Sequence, residues 1–355
     1  MGAAATGHHE EVRGQIWHNG ERVDGFSLSK ISDCIDDPER LVWADLECPS
    51  HDTLRTVADQ LDINSYTVED IIAASERVKA VAYRDYTSMT VYALTPITSG
   101  TVPSESESDP LPADRHSPFA QRANSFQQHR ISIIVKGNAL ITVRLSPGFD
   151  INEVTQRWTD IGDERYGVGA LLHGLLDVIV DGHFDVVQQL DADIEDLETL
   201  LFDESVASKP LQRQTYDLRK DLVLLRRVVL PMREVVAAIQ RHRRESQISR
   251  ELDPNFSDLY DHVLRVTEWT ESLRDMVTTV FETNLSLADA RLNTVMKKLT
   301  GWAAIVAVPT AITGFYGQNV TFPLLGTVTG FIVSTALIVV TVVILYVSFR
   351  RRDWI

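Results

Sequence analysis

Cysteine is nearly absent: Cys34 and Cys48 are the only two in 355 residues. That excludes a disulfide framework and fits a reducing compartment. The chain also lacks a glycine-rich phosphate loop, a His-Glu-x-x-His pair and a Gly-x-Ser-x-Gly elbow, so an enzyme is the least expected class. Basic residues are in deficit, with 34 Lys and Arg against 50 Asp and Glu and a net charge of -16. This argues against a nucleic-acid partner. It suits a protein that draws cations, although acidic surfaces also serve solubility. The most informative absence is local: no residue from Leu299 to Phe349 is charged, although the mean hydropathy of -0.07 is that of a soluble protein.

As helix, this stretch of about 50 residues reaches roughly 75 Å, over twice a bilayer core of about 30 Å. Two spans fit. The stretch divides at Tyr316-Gly317-Gln318-Asn319, with Pro323 and Gly326 as further breakers, which predicts spans over 299–316 and 327–349. A buried core hairpin is the alternative, but soluble cores rarely run so long without a charge. Lys297 and Lys298 precede the first span and Arg350, Arg351 and Arg352 follow the second. Positive residues at both outer ends place both termini in the cytoplasm and the short loop outside, in a multi-pass protein of the cytoplasmic membrane.

Ahead of the spans, residues 1–166 read as a tail (1–13) followed by an α/β domain. Leu41–Leu46 is a strand, Ser50–Leu61 and Ser65–Ser75 are helices, and Tyr86–Leu94, Arg130–Val135 and Ala139–Arg144 alternate as strands, the last two around a Gly137-Asn138 turn. Residues 99–128, rich in Ser, Pro and acids, form an insertion expected to be disordered. Residues 167–298 change to long helices. One is acidic (Asp177, Asp181, Asp185, Asp191), the next, from Lys209 to Arg244, is basic, and an antiparallel pair is expected. A third starts near Asn255 and meets no breaker before Pro309; if continuous it runs into the first span.

Read at a 3.5-residue repeat, one face of that third helix is distinctive. It runs Asp275, Thr279, Glu282, Ser286, Asp289, Asn293, Met296, Thr300, Ala303, Ala307, Thr310, Gly314, Gly317. Its first part is polar or acidic and its second small or hydroxylic, while Trp302, Ile305, Val306 and Ile312 lie on other faces. An amphipathic surface helix explains the first part alone, and close helix packing the second alone. A symmetric bundle with this face inward around a water-lined path accounts for both. At the outer end, a ring of Asn319 amides would offer neutral oxygens to a hydrated cation, though a plain turn explains the tetrapeptide equally well.

Asn293-Thr-Val-Met-Lys-Lys-Leu-Thr300, Pro309-Thr310 and Gly314-Phe-Tyr-Gly-Gln-Asn319 resemble the CorA family of magnesium and divalent-cation channels. Tyr66-Thr-Val-Glu69-Asp70-Ile71 resembles that family's Leu-Glu-Asp-Ile helix, and Asp258-Leu-Tyr-Asp261-His262 a segment of its stalk. The resemblance implies an α+β protein in which the α/β domain and long helices form a cytosolic funnel and stalk above two transmembrane helices over 299–355. It implies a homopentamer in membrane lipid. By position, Gly317, Gln318 and Asn319 would form the selectivity filter; Glu282, Asn293, Met296, Leu299, Ala307 and Thr310 would line the pore. Glu69 and Asp70 of one subunit with Asp258 of its neighbour would hold a regulatory magnesium that keeps the channel closed. Mg2+ is then both cargo and regulator, and no organic cofactor is implied.

Two departures bear on the ion. Gln318 stands where the family has Met, and the outer loop Val320–Gly326 carries no acid. A zinc, cobalt or nickel transporter of the branch resembling the zinc transporter ZntB is one alternative, although the stripe has no Cys or His to serve as soft ligand. A membrane-anchored cation sensor that no longer conducts is another.

Overall fold

The structure is a computed structural model that describes residues 10–35, 37, 39–97, 125–161, 166–203, 208–245, 250–318, 327–352 and 354–355. The chain divides into two compact units, Met1–Thr278 and Thr279–Ile355. The first is built on strands β1 (Glu11–His18), β2 (Glu21–Val23), β3 (Arg40–Glu47), β4 (Lys79–Ala82), β5 (Thr87–Pro96), β6 (Phe126–Lys136) and β7 (Ala139–Arg144). They form one seven-stranded sheet in the order β2-β1-β3-β7-β6-β5-β4. Among the described strands only β3 and β7 pair in parallel, at the sheet's centre; the other pairings are antiparallel.

Side chains alternate across the central strands because successive residues of a strand face opposite ways. Trp43, Ile133 and Leu140 join one core, and Val42, Ala44, Ile134 and Ile141 the other. The second core is closed by short helices α1 (Ile31–Ile35), α2 (His51–Gln60) and α3 (Ser65–Ile72), through Cys34, Leu54, Val57 and Ile71. The first is closed by α4 (Ile151–Ile161) and the long helices α5 (Val168–Leu201) and α6 (Ser208–Glu245), with the start of α7 (Asp253–Tyr316). Trp158 of α4 meets Trp43 edge to face at 5.1 Å. Helix α5 lies against β5 at Gly182, where an added Cβ would fall 2.7 Å from the Leu94 carbonyl oxygen. The next residue, His183, donates Nε2–H to the Tyr92 carbonyl at 2.8 Å. Complete burial keeps its imidazole neutral, with the pKa pushed down to about 4.

The predicted hairpin around Gly137-Asn138 and the helices near 51–60 and 65–72 are present, and α7 is continuous through Pro309. Other expectations need correction. β1 begins at Glu11, inside the stretch read as a tail, and β6 begins at Phe126, inside the stretch read as the 99–128 insertion; residues 98–124 themselves lie outside the described residues. β1, β2, β4, α1 and α4 were not anticipated. Their apolar residues are few and gain their meaning from the neighbouring strand or core rather than from a long local period.

The parallel register sets Asp45 opposite Thr142 and Glu47 opposite Arg144. Arg144 donates Nε and Nη2 to the Asp45 carboxylate at 3.1 and 2.5 Å and Nη1 to the Phe149 carbonyl at 3.0 Å. Thr142 donates to Asp45 at 2.6 Å and accepts from the Trp43 indole at 3.3 Å. The guanidinium is 2% and the carboxylate 0% exposed, so the buried Asp45 charge depends on Arg144, which also bridges Glu47 at 2.7 Å. Replacing Arg144 with Met strands Asp45 in the core, at a cost of about 3–5 kcal/mol. The expected result is a clear fall in the urea midpoint followed by tryptophan fluorescence; an unchanged midpoint would refute the assignment.

The second unit holds the last part of α7 and α8 (Val328–Arg351). Both are long and apolar enough to cross a membrane, and little of either apolar stretch is buried. The chain end turns back on itself: Trp354 stacks on Phe349 at 5.5 Å, and a Cβ at Gly301 would lie 3.2 Å from Ile355.

Candidate functional site

The polar stripe lies on one uninterrupted helix. All of its positions from Asp275 to Gly317 are exposed, Glu282, Asn293, Met296, Ala307 and Thr310 among them, and so is Leu299 beside it. The residues of α7 that are buried over this range, Val277, Val280, Asn284, Gly301 and Ile305, belong to other positions. Among the described residues of one chain, therefore, nothing covers the stripe. Thr310 spends its hydroxyl hydrogen on the Val306 carbonyl at 2.9 Å, one turn back, which leaves its oxygen lone pairs as the outward polar surface. The helix closes at its end through Gly317 N–H to the Thr313 carbonyl at 2.9 Å and Gln318 N–H to that of Phe315 at 3.3 Å. Gly317 and Gln318 are exposed; Asn319 lies outside the described residues.

The acidic pair Glu69 and Asp70 sits near the end of α3, a helix clamped at both ends. At its start the Asn64 side chain caps Tyr66 N–H at 3.0 Å, while the Tyr86 hydroxyl takes Asn64 N–H at 3.2 Å and pairs with Thr67 Oγ1 at 2.8 Å. At its end Arg130 of β6 donates to the Ile71 and Ala73 carbonyls at 2.6 and 2.5 Å, groups a helix terminus otherwise leaves without partners. Glu69 projects into solvent. Asp70 is not bare: the Lys79 ammonium lies 2.7 Å from it and 3.3 Å from Glu76. Burial pulls the Lys79 pKa down, but hydrogen bonds to Asp70 and Glu76 outweigh it and hold the group above its ordinary value.

Asp258, on α7, is 71% exposed and 3.7 Å from His262. Among the described residues nothing joins it to Glu69 or Asp70, and no three His, Cys, Asp or Glu side chains converge as a metal-holding group. The acidic α5 and the basic α6 pack against each other through one apolar core, and their charged faces find partners on other helices. Asp177 and Asp181 are neutralised from α4, by Arg157 at 2.5 and 2.7 Å, whereas Arg226 of α6 bridges to Glu271 of α7. Burial, with Asp181 adding to it, raises the Asp177 carboxyl above the usual range despite Arg157.

Three residues that shape the acidic corner were not foreseen: Lys79, Tyr86 and Arg130. Each reaches α3 from a strand or its approach, and only β-pairing brings them there. A lysine opening a short strand nine residues after the acid was the only trace of the ion pair in the sequence.

An α/β domain followed by long helices and a terminal pair of membrane-length apolar helices has the build of an integral membrane protein with a large water-facing part. Residues 114–351 match the family described as CorA-like Mg2+ transporter protein. The chain belongs to that family, which makes it by class a divalent-cation transporter. It is similar to the cobalt/magnesium transport protein CorA of Thermotoga maritima, 26% identical over 316 residues that cover 86% of this chain and 80% of the relative. Its fold matches that of the complete CorA magnesium transporter of Methanocaldococcus jannaschii, with a TM-score of 0.69, 23% identity, and coverage of 96% and 98% of the two chains. The cytoplasmic domain of ZntB from Vibrio parahaemolyticus is similar in fold over 72% of this chain and 96% of its own, with a TM-score of 0.54 and 14% identity.

The clamp on α3 has a measurable consequence. Replacing Arg130 with Met frees two carbonyls that now accept from a charged donor, worth about 1.5–3 kcal/mol. Amide exchange over residues 64–74 should then speed by about tenfold or more, while exchange unchanged from wild type would show that Arg130 does not hold the helix end.

Proposed function

We propose that this chain is one subunit of a homopentameric channel in the cytoplasmic membrane that conducts magnesium and is closed by cytosolic magnesium. The observation that carries the reading is the exposed face of α7, acidic and polar before the apolar stretch, then small and hydroxylic along it. Hydrocarbon rewards no alignment of Thr, Ala and Gly, whereas a ring of helices packed around water rewards it twice, by close approach and by hydration. On this reading Asn293, Met296, Leu299, Ala307 and Thr310 line the path, with Met296 and Leu299 as its apolar gate, and Glu282 faces the same path. Gly317, Gln318 and Asn319 form the outer filter. The basic flanks Lys297, Lys298 and Arg350–Arg352 keep both chain ends in the cytoplasm.

A regulatory magnesium fits Glu69, Asp70 and Asp258 by donor chemistry, since hard carboxylates suit a hard cation. The high exposure of Asp258 suits a ligand that waits for another subunit. Magnesium bridging these acids would hold neighbouring subunits together; its loss would loosen the ring and favour opening. The neutral donors of the filter suit an ion that keeps much of its water. The stripe carries no Cys or His, which weighs against a zinc carrier, although the fold shared with a ZntB domain makes zinc the second ion to test.

Flux into liposomes carrying the purified protein, with magnesium, zinc and cobalt compared, tests the channel. Magnesium flux that falls at least about tenfold in Asn319→Ala, with the oligomer intact, is the expected outcome. Zinc flux alone would move the protein to the zinc-transporting branch, and no flux under any gradient would make it a sensor. For the regulatory site, Asp70→Asn and Asp258→Asn should each raise the magnesium concentration that half-closes the channel. Unchanged inhibition in both would remove these acids from regulation.

A further inference from the structure

We propose that Lys79 is a tethered cation that competes with magnesium for Asp70 and so sets the magnesium concentration at which the channel closes. This rests on the reading of Glu69, Asp70 and Asp258 as the closing site and deepens it. The ammonium lies 2.7 Å from Asp70 Oδ2 and 3.3 Å from Glu76 Oε2, one cation between two acids. Its side chain is 23% exposed, against 40% for Asp70 and 18% for Glu76. It cannot wander far. Lys79 opens β4 and is in register with Thr90 of β5, and Asp70 stands on a helix whose end is fixed by Arg130. The segment between them is tied to the sheet by the Tyr92 hydroxyl, which donates to the Glu76 carbonyl at 2.5 Å. Both partners of the ion pair are therefore held in place before any metal arrives.

A magnesium ion bound directly to a carboxylate oxygen sits at about 2.1 Å. At Asp70 Oδ2 it would share that oxygen with the ammonium, and two cations so close repel strongly. Binding thus requires Lys79 to leave Asp70, and Glu76 is the acceptor already within reach. Lys79 then works as a two-position counter-ion, on Asp70 when magnesium is absent and on Glu76 when it is bound. One consequence follows for opening. After magnesium leaves, Asp70 is at once neutralised by its own lysine, so the repulsion that loosens neighbouring subunits comes from Glu69 and Asp258.

The test measures magnesium flux in proteoliposomes against magnesium on the cytosolic side, in the full chain. Lys79→Gln, and Lys79→Met with its longer apolar stem, both remove the competitor. The half-closing magnesium concentration should fall by about fivefold, the factor a partly exposed ion pair carries; Lys79→Arg, which keeps the charge, should stay within about twofold of wild type. Half-closing concentrations unchanged or raised in both Gln and Met variants would overturn the proposal, provided Asp70→Asn still weakens closure. If Asp70→Asn closes like wild type, the closing-site reading fails and this inference falls with it.

Discussion

Hydrocarbon cannot hydrogen-bond a peptide group, and the C-terminal part of this chain is arranged around that constraint. A segment that enters lipid must satisfy its own backbone, so the uncharged stretch is drawn into two helices, α7 and α8. Pro309 withholds one N–H from the interior of α7. The helix continues because one missing bond is a local loss, and a broken helix would leave several groups bare. The same constraint gives the stripe its meaning. In a water-soluble helix a polar face needs no explanation, but Thr310, Ala307 and Gly314 on one exposed line, among Ile, Val and Trp, have no use for lipid on that side.

The water-facing unit solves a different problem, that of holding charges at fixed places. Its central parallel pair carries Asp45 and Arg144 fully buried, each tied to the other and to Thr142 and Phe149. Such a pair adds little net stability over an apolar core, because two charges must be stripped of water. What it supplies is register: a one-residue slip between β3 and β7 would separate the charges and strand Asp45 in the core. The acidic corner is built by the same means at lower burial. Arg130 grips the end of α3 and Lys79 grips Asp70, so an acid proposed to meet a metal is carried by a helix that the sheet holds at both ends.

What could be read beforehand divides along physical lines. Helix α7 and the apolar ends were legible because a helix period and an absence of charge are local properties that accumulate over dozens of residues. The β6–β7 hairpin was legible because Gly137, with φ at +54°, adopts a turn conformation few residues tolerate, and its sequence announces it. β4 and α4 were not legible, since four residues such as Lys79-Ala-Val-Ala carry no period, and Trp158 has its role only once Trp43 is opposite. The stripe was legible as a face of α7, and its positions are exposed there. The cationic partners were missed: Arg157 and Lys79 reach their acids across 20 and 9 residues, Arg130 reaches the Ile71 carbonyl across 59, and no spacing rule joins them.

The donor chemistry then bears on which ion the proposed path suits. Every polar group on the described part of the stripe is a carboxylate, a hydroxyl or an amide, with Met296 as the single sulfur. Oxygen donors of this kind bind hard cations weakly enough to release them, whereas zinc gains most from imidazole and thiolate. Neutral donors at the outer end would not strip a tightly held water shell, so an ion taking the proposed path would pass them hydrated. Gln318 in the place of a family Met leaves that logic intact, since an amide is, if anything, better suited to a hydrated ion than a thioether. The change with more weight is the lack of any acid in the outer segment Val320–Gly326. With no fixed negative charge there to concentrate cations, entry would depend on the filter amides and on the acidic residues at the other end of the stripe, Asp275, Glu282 and Asp289.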